Sequence, residues 1–294
     1  MNRSESKVLV YDIGGSHISA ALCVLDSLKL SAVAKAAISD VTTGESFLET
    51  LASLSSQVNA ASEPVAGASL AFPGPFDYEA GISRMKHKLE PLYGIDLRAA
   101  IAGKLNLLPE SIRFLNDADA FVLGELGAGA AHGVGRAIGI TLGTGIGSGF
   151  GVDGHLVTNG EGVPPGGEIW NFPYAGGIVE DLLSTHSLQK DYASRTGKSI
   201  SVLEIAQAAD HDADAAAVFE AFGKNLGSAI RDTMAAFKPE LVVLGGGISH
   251  SASLFLPIAQ SLVDPLGIRL VTSALWDQAP LVGAGAYWRK VCLA

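Results

Sequence analysis

The chemistry open to this chain concentrates in two glycine turns and one aspartate at the end of a strand. Residues 8–22, VLVYDIGGSHISAAL, read as an apolar strand, a turn and a second strand. The β-branched, aliphatic and aromatic residues at 8–11 suit a buried strand. Gly14 and Gly15 remove side chains at the turn, so main-chain N–H groups can approach an anion, and Ser16 adds a hydroxyl donor. Asp12 sits at the strand end, where a carboxylate can hold a metal directly or through water. The stretch is a phosphate hairpin with a metal anchor or, on the plain reading, an ordinary turn.

The pattern recurs in residues 137–152, AIGITLGTGIGSGFGV. Laid over the first copy, Gly143 falls on Gly14 and Gly145 on Ser16, with Thr144 between them. Similarity at this scale predicts two related halves. Two facing hairpins would grip a polyphosphate from both sides. Two tight hairpins are the alternative, but glycine at alternate positions from 143 to 149 weakens a strand and is hard to explain as packing.

Asp117 stands where a short strand delivers a helix, with Asn116 before it. Two readings are open. Asp is a preferred helix N-cap. It is also the base that phosphoryl transfer to an alcohol needs, to take the hydroxyl proton late in the transfer. Gly245, Gly246 and Gly247 follow a Leu/Val run and resemble a nucleotide-binding turn, although a plain strand–helix turn fits too. Glu168, after Gly166 and Gly167, and Glu180 further on are acceptors for sugar hydroxyls or surface carboxylates. Gly74, inside Pro-Gly-Pro, can admit a ligand or simply turn the chain. Lys86, His87 and Lys88 form a basic trio that touches substrate or is solvated.

The elements that must position these residues follow a duplicated plan. After the first hairpin, 28–38 reads as a third strand, 46–58 as a helix with Phe47, Leu51, Leu54 and Val58 inward, and 65–72 as a strand. A helix over 97–105, a strand over 112–115 and a helix over 118–130 complete the first half. The second half has its hairpin, a long irregular insertion followed by a helix carrying Glu180, and a helix over 213–237 stopped by Pro239. A strand over 241–244, a helix from Ser249 or Ser251 and a closing helix over 283–291 end the chain.

With 294 residues, 48% hydrophobic and 17% charged, the chain can form two domains with full cores and is too apolar for disorder. Its formal charge of −10 argues against a nucleic-acid partner. Cys23 and Cys292, far apart, suggest reduced thiols in a reducing compartment. The polar start MNRSESK shows no signal peptide, and no stretch approaches about 20 apolar residues, so a soluble, cytoplasmic protein without membrane contact is expected.

Four stretches, in this order and spacing, resemble the ROK family of bacterial sugar kinases in the actin/hexokinase-like ATPase superfamily. DIGGSHISAAL (12–22) resembles its first phosphate motif and FLNDADAFVLGE (114–125) the motif holding its catalytic aspartate. LGTGIGSGFGVDG (142–154) resembles its second phosphate loop and LVVLGGGIS (241–249) its nucleotide segment. The resemblance covers nearly the whole chain. It implies an α/β fold of two ribonuclease-H-like (actin-like ATPase) domains with an interdomain cleft. These are expected as residues 1–115, closed by a C-terminal helix over 283–294, and a larger domain over 116–282. It implies ATP and Mg²⁺ as cofactors, Asp117 as the base, and Asn116, Glu168 and Glu180 as sugar ligands. Asp12 would organise Mg²⁺ through water. Gly14, Gly15, Ser16, Gly143, Thr144, Gly145, Gly246 and Gly247 would line the nucleotide. Gly74, Asn171 and Lys88 join the substrate-binding set, and a homodimer is expected.

Three departures bear on the substrate. Trp170-Asn171 stands where the family has Gly-His, whose histidine usually binds both sugar and a structural zinc. The family's cysteine-rich zinc loop is missing, since 174–179 holds no cysteine. Lys88-Leu89 replaces an Asn-Leu pair, and a lysine there favours an anionic sugar or points to solvent. The expected activity is ATP-dependent phosphorylation of a hexose or N-acetylhexosamine. The alternatives are a sugar-binding sensor without turnover and a non-sugar kinase of the same superfamily. No structural zinc is expected. Elemental analysis of untagged protein should find zinc well below stoichiometry, and one chelator-resistant zinc per chain would refute the reading.

Overall fold

The computed structural model describes residues 6–59, 62–86 and 89–293. The chain forms two compact units, Met1–Ala128 with Asp277–Ala294, and Gly129–Trp276. Each is a mixed α/β assembly on one five-stranded sheet. Among the described residues no helix is long and apolar enough to cross a membrane.

The first unit runs β1 (Lys7–Ile13), β2 (His17–Val24), β3 (Ala34–Ala37), α1 (Gly44–Val58) and β4 (Ala68–Phe72). A short hairpin of β5 (Phe76–Asp77) and β6 (Ile82–Ser83) follows, then α2 (Leu97–Leu105), β7 (Ile112–Asn116) and α3 (Asp117–Ala128). The sheet order is β3-β2-β1-β4-β7, antiparallel across β3, β2 and β1 and parallel across β1, β4 and β7. Tyr11, Phe47, Phe72 and Phe114 are fully buried at its core. A capping box starts α1: Thr43 Oγ1 accepts from Ser46 N at 3.0 Å, satisfying a donor that the helix itself leaves unpaired.

The second unit runs β8 (Arg136–Leu142), β9 (Ile146–Val152) and β10 (His155–Val157), then a small hairpin of β11 (Pro173–Tyr174) and β12 (Gly177–Ile178). Helices α4 (Thr185–Thr196), α5 (Val202–Ala208) and α6 (Ala213–Ala229) lead to β13 (Leu241–Gly245), α7 (Leu256–Val263) and β14 (Arg269–Thr272). The sheet order β10-β9-β8-β13-β14 repeats the first sheet strand for strand. The internal repeat read from the glycine turns is therefore a repeat of topology.

Several local expectations change. The third strand shrinks to four residues because Leu28 adopts φ 54° in a turn whose N–H donates to Val24 O. The helix expected over 213–237 is α-helical only to Ala229. A π-turn over Ile230–Met234 and a 3₁₀ turn over Ala235–Phe237 follow, ending at Lys238 (φ 55°) before Pro239. The helix expected from Ser249 or Ser251 begins as a 3₁₀ stretch, Gly247–Leu254, kinked at Ser251. β10 and β14, of three and four residues, carry too little pattern to be read from sequence.

The unit boundary follows Ala128 and not residue 115, because α3 lies against the C-terminal helix α8 (Ala279–Leu293). That approach needs two glycines. A Cβ on Gly283 would stand 1.8 Å from Ala120 O, and one on Gly124 2.0 Å from Ala279 O. Overpacking so rigid a contact costs about 1–3 kcal/mol or more. Gly283→Ala should lower the unfolding free energy from urea melts by at least that much, and an unchanged value would show that the helices have room to separate.

Candidate functional site

In the first unit the carboxyl ends of three parallel strands are level. Asp12 pairs with Ala71, and Phe72 with Asn116. Ligands of open α/β sheets bind outside such ends. The register brings Asp12, the Gly74 turn and the start of α3 to one edge of the sheet.

Asn116 caps α3. Its Oδ1 accepts from Ala118 N at 2.9 Å and Asp119 N at 3.3 Å. Its Nδ2 donates to Tyr78 Oη at 3.1 Å, and Tyr78 donates to Phe72 O at 3.0 Å. The capping role open to Asp117 thus falls to Asn116, whose second Nδ2–H is the donor left for a ligand. Asp117 is the first helical residue, with Oδ1 accepting from Ala118 N at 2.9 Å. A Cβ on Gly74 would meet nothing nearer than Tyr78 Oη at 3.8 Å, so the turn is open beside this network.

Asp12 is half-buried, and its carboxyl is pushed up from 3.8 to about 7. Desolvation is the largest cause, followed by the negative charges of Asp117 and Asp277, against a smaller opposing pull from Lys35. Lys35 Nζ lies 3.0 Å from Asp277 Oδ2. A divalent cation would relieve this crowding of negative charge. Among the described residues no three His, Cys, Asp or Glu side chains converge on one ion. That donor set fits Mg²⁺, which keeps several waters and takes one or two carboxylates plus phosphate oxygens.

The two glycine turns differ in length. β1 and β2 pair Ile13 with Ile18 across four residues, whereas β8 and β9 pair Leu142 with Ile146 across three. Gly143 keeps its match to Gly14, but Gly145, the last loop residue, corresponds to His17 and not to Ser16. The first glycine closes each turn: Gly14 N donates to His17 O, and Gly143 N to Gly145 O, both at 3.0 Å. Among the described residues the N–H groups of Gly15, Ser16 and Thr144 make no hydrogen bond within the chain and remain as donors for an anion. Ser16 Oγ lies 2.8 Å from His17 Nδ1.

In the second unit, strand β9 holds the carboxylate-bearing segments. Ile146 N donates to Glu180 Oε2 at 3.0 Å. Ser148, buried on the same face of the strand, donates from Oγ to Gly167 O at 2.6 Å and accepts from Ile169 N at 3.1 Å. The Glu168 segment and the Glu180 turn are joined by Glu180 N donating to Trp170 O at 3.1 Å. Glu168 and Asn171 are exposed, and Glu168 Oε2 accepts from Trp170 Nε1 at 3.0 Å. Glu180 lies in a 3₁₀ turn, Val179–Asp181, and not on a helix. Its carboxylate braces the hairpin: a Cβ on Gly145 would stand 2.5 Å from Oε2. Gly145 is therefore a packing glycine as well as a loop one.

Gly246 (φ 81°) lies against Leu142, where a Cβ would stand 2.4 Å from the carbonyl oxygen, while nothing lies within 4 Å of a Cβ on Gly247. The glycine turn after β13 is thus in backbone contact with the hairpin, and Gly247 is its open position. His250 stacks on Trp276 with centroids 4.4 Å apart. A cavity of about 570 Å³ opens at the hairpin, lined by Thr144, Glu180, Ser184, His186 and Lys190 among others. A second cavity, of about 320 Å³, lies against α4 and α6 and touches neither glycine turn. Lys88 and His87 lie outside the described residues, and Lys86 Nζ lies 5.2 Å from the Tyr93 ring centroid.

Asp277, Lys35, Tyr78 and Ser148 escape sequence reasoning. Only Ser148 leaves a signal, as the one polar side chain in a glycine-rich strand.

The chain matches the ROK family over residues 8–291. It belongs to that family. This ROK protein is 28% identical to a glucokinase of Thermotoga maritima, with 95% of this chain and 96% of that protein covered. Its fold is that of a ROK family glucokinase from Streptomyces griseus solved with glucose and AMPPNP (TM-score 0.78, 21% identity, 97% and 100% of the two chains). A ROK family transcriptional regulator, a homologue of the Escherichia coli MLC protein, is equally similar (TM-score 0.79, 22% identity, 98% of this chain and 79% of that chain).

The raised Asp12 carboxyl makes stability depend on pH. The folded protein keeps a proton that the unfolded chain releases, so this group's contribution is full below about 4 and is lost as pH rises through about 7. Asp12→Asn removes the ionisation. In chelator, its stability relative to the parent should grow between pH 4 and 8, by an amount on the order of a few kcal/mol. Urea melts with an equal gap at both ends would show that Asp12 titrates normally.

Proposed function

We propose that this ROK protein transfers the terminal phosphoryl group of ATP to a hydroxyl of a hexose or N-acetylhexosamine. The observation that supports the reading most is the start of α3. Asn116 takes the capping role, and the Asp117 carboxylate is near enough to Asp12 to raise its pKa. A strand-end carboxylate beside an open glycine turn suits a base that takes the acceptor's proton as transfer proceeds. Asp12 would hold Mg²⁺ through water, and the ion, when bound, supplies charge neutralisation at the phosphate oxygens. The N–H groups of Gly15, Ser16 and Thr144 would bind the phosphates, with Gly247 leaving room for the nucleoside. Asn116, Glu168 and Asn171 would bind the sugar. Glu180 would act mainly by bracing the second turn, because one of its oxygens is already engaged by Ile146. The glucokinase relative and the glucose–AMPPNP complex of the structural neighbour support both substrates.

A second reading is a sugar-responsive regulator without turnover. It is favoured by the exposed Asn171 where a histidine is usual in the family, and by the equal likeness to a regulator. ADP release over neutral, N-acetylated and acidic sugars separates the two: binding without ADP release identifies the regulator. If the kinase reading holds, Asp117→Asn should lower kcat by on the order of 10²–10⁴ with little change in sugar affinity. A variant keeping more than about a tenth of the rate would remove Asp117 from the role of base.

A further inference from the structure

Trp170 is 41% exposed, and its one polar group is fully used, the indole N–H donating to Glu168 Oε2 at 3.0 Å. A large aromatic side chain on the surface usually turns its N–H to water and its ring to the core. Trp170 does the reverse: its N–H is held by a carboxylate and its ring is partly bare. The segment beneath it is fixed. Trp170 O accepts from Glu180 N at 3.1 Å, Ile169 is buried, and the flanking Gly167 O and Ile169 N are pinned by Ser148 at 2.6 and 3.1 Å. The indole is therefore a side chain on a rigid support, joined to the second glycine turn by two successive hydrogen bonds through Glu180.

The bond to the indole also shapes Glu168. It fixes the carboxylate rotamer and engages one oxygen, so Oε1 is the oxygen with full acceptor capacity. Asn171, next along the chain and exposed, adds an amide. A hydroxyl acceptor, a partly exposed indole ring and an amide on one rigid segment match a molecule that carries hydroxyls at its edge and C–H groups on its face. A pyranose ring has that chemistry; an anionic or purely apolar ligand does not.

We propose that Trp170 is a specificity-determining residue for the acceptor sugar, covering the C–H face of a pyranose while Glu168, held by the indole, accepts one of its hydroxyls. This rests on the kinase reading for the identity of the reaction but not for the binding itself. It places the substrate among neutral hexoses and N-acetylhexosamines, since Glu168 would repel an acidic sugar at this position.

Tryptophan fluorescence tests it on the full chain. The other two tryptophans are Trp276, stacked on His250, and the buried Trp288. Glucose, mannose, N-acetylglucosamine, N-acetylmannosamine and glucuronate are titrated without nucleotide, with calorimetry as the independent measure of binding. The expected result is a saturable emission change with one of the neutral sugars, kept in Trp276→Phe and absent in Trp170→Phe. Trp170→Ala should weaken that sugar roughly 3- to 10-fold, the scale of one aromatic packing interaction, and Trp170→Phe less. Both variants should melt within about 2 °C of the parent, as expected for an exposed site. Calorimetric binding without an emission change, no binding by any sugar, or tightest binding of glucuronate would each overturn the proposal. A sugar that moves the emission but yields no ADP would sustain it and refute the kinase reading. Turnover with silent fluorescence would do the opposite.

Discussion

The site residues of the first unit depend on parallel strand register. Because Asp12 is level with Ala71, and Phe72 with Asn116, three chain segments far apart in sequence end at the same height. A slip of one residue in β1 would turn Asp12 to the other face of the sheet. The buried sides of these strands hold the register: Val8, Val10, Leu70 and Ile112 have no exposed surface. The apolar core therefore fixes the geometry of the polar edge.

The same register in the second unit has a different consequence. Thr141, level with Gly245, takes the place that Asp12 holds in the first sheet. One half thus contributes a carboxylate and the other a neutral hydroxyl. Desolvation, and after it the negative charges of Asp117 and Asp277, raises the Asp12 pKa at the first edge, whereas in the second unit each carboxylate has a donor of its own. Ile146 N serves Glu180 and the Trp170 indole serves Glu168. The duplicated fold has one charged edge and one satisfied edge.

The two hairpins, the strands β4, β7 and β13, both glycine turns and most helices are legible in the sequence, because each follows from local pattern. Apolar runs, the glycine after a β-branched strand and the helical period at Phe47, Leu51 and Leu54 all act within a few residues. What is not legible depends on partners distant in the chain. Asn116 and Asp117 are equally good caps by propensity, and it is the start of α3 at Asp117, with the Asn116 amide held by Tyr78, that makes Asn116 the cap. The bracing of Gly145 by Glu180, 35 positions on, and the pairing of Lys35 with Asp277 leave no trace in local composition. The turns look alike in sequence, yet they differ by one residue, because loop length is set by strand pairing and not by glycine count.

The first unit is not contiguous. Its helix α3 packs on a segment that begins at Ala279, on the far side of the entire second unit. A nascent chain emerging from the ribosome has every residue of the second unit before it has the last helix of the first. The glycine-lined face of α3 and the sheet beside it stay uncovered until α8 has been made. The order of folding is thereby decoupled from the order of the halves: the unit that is synthesised first can be completed only last.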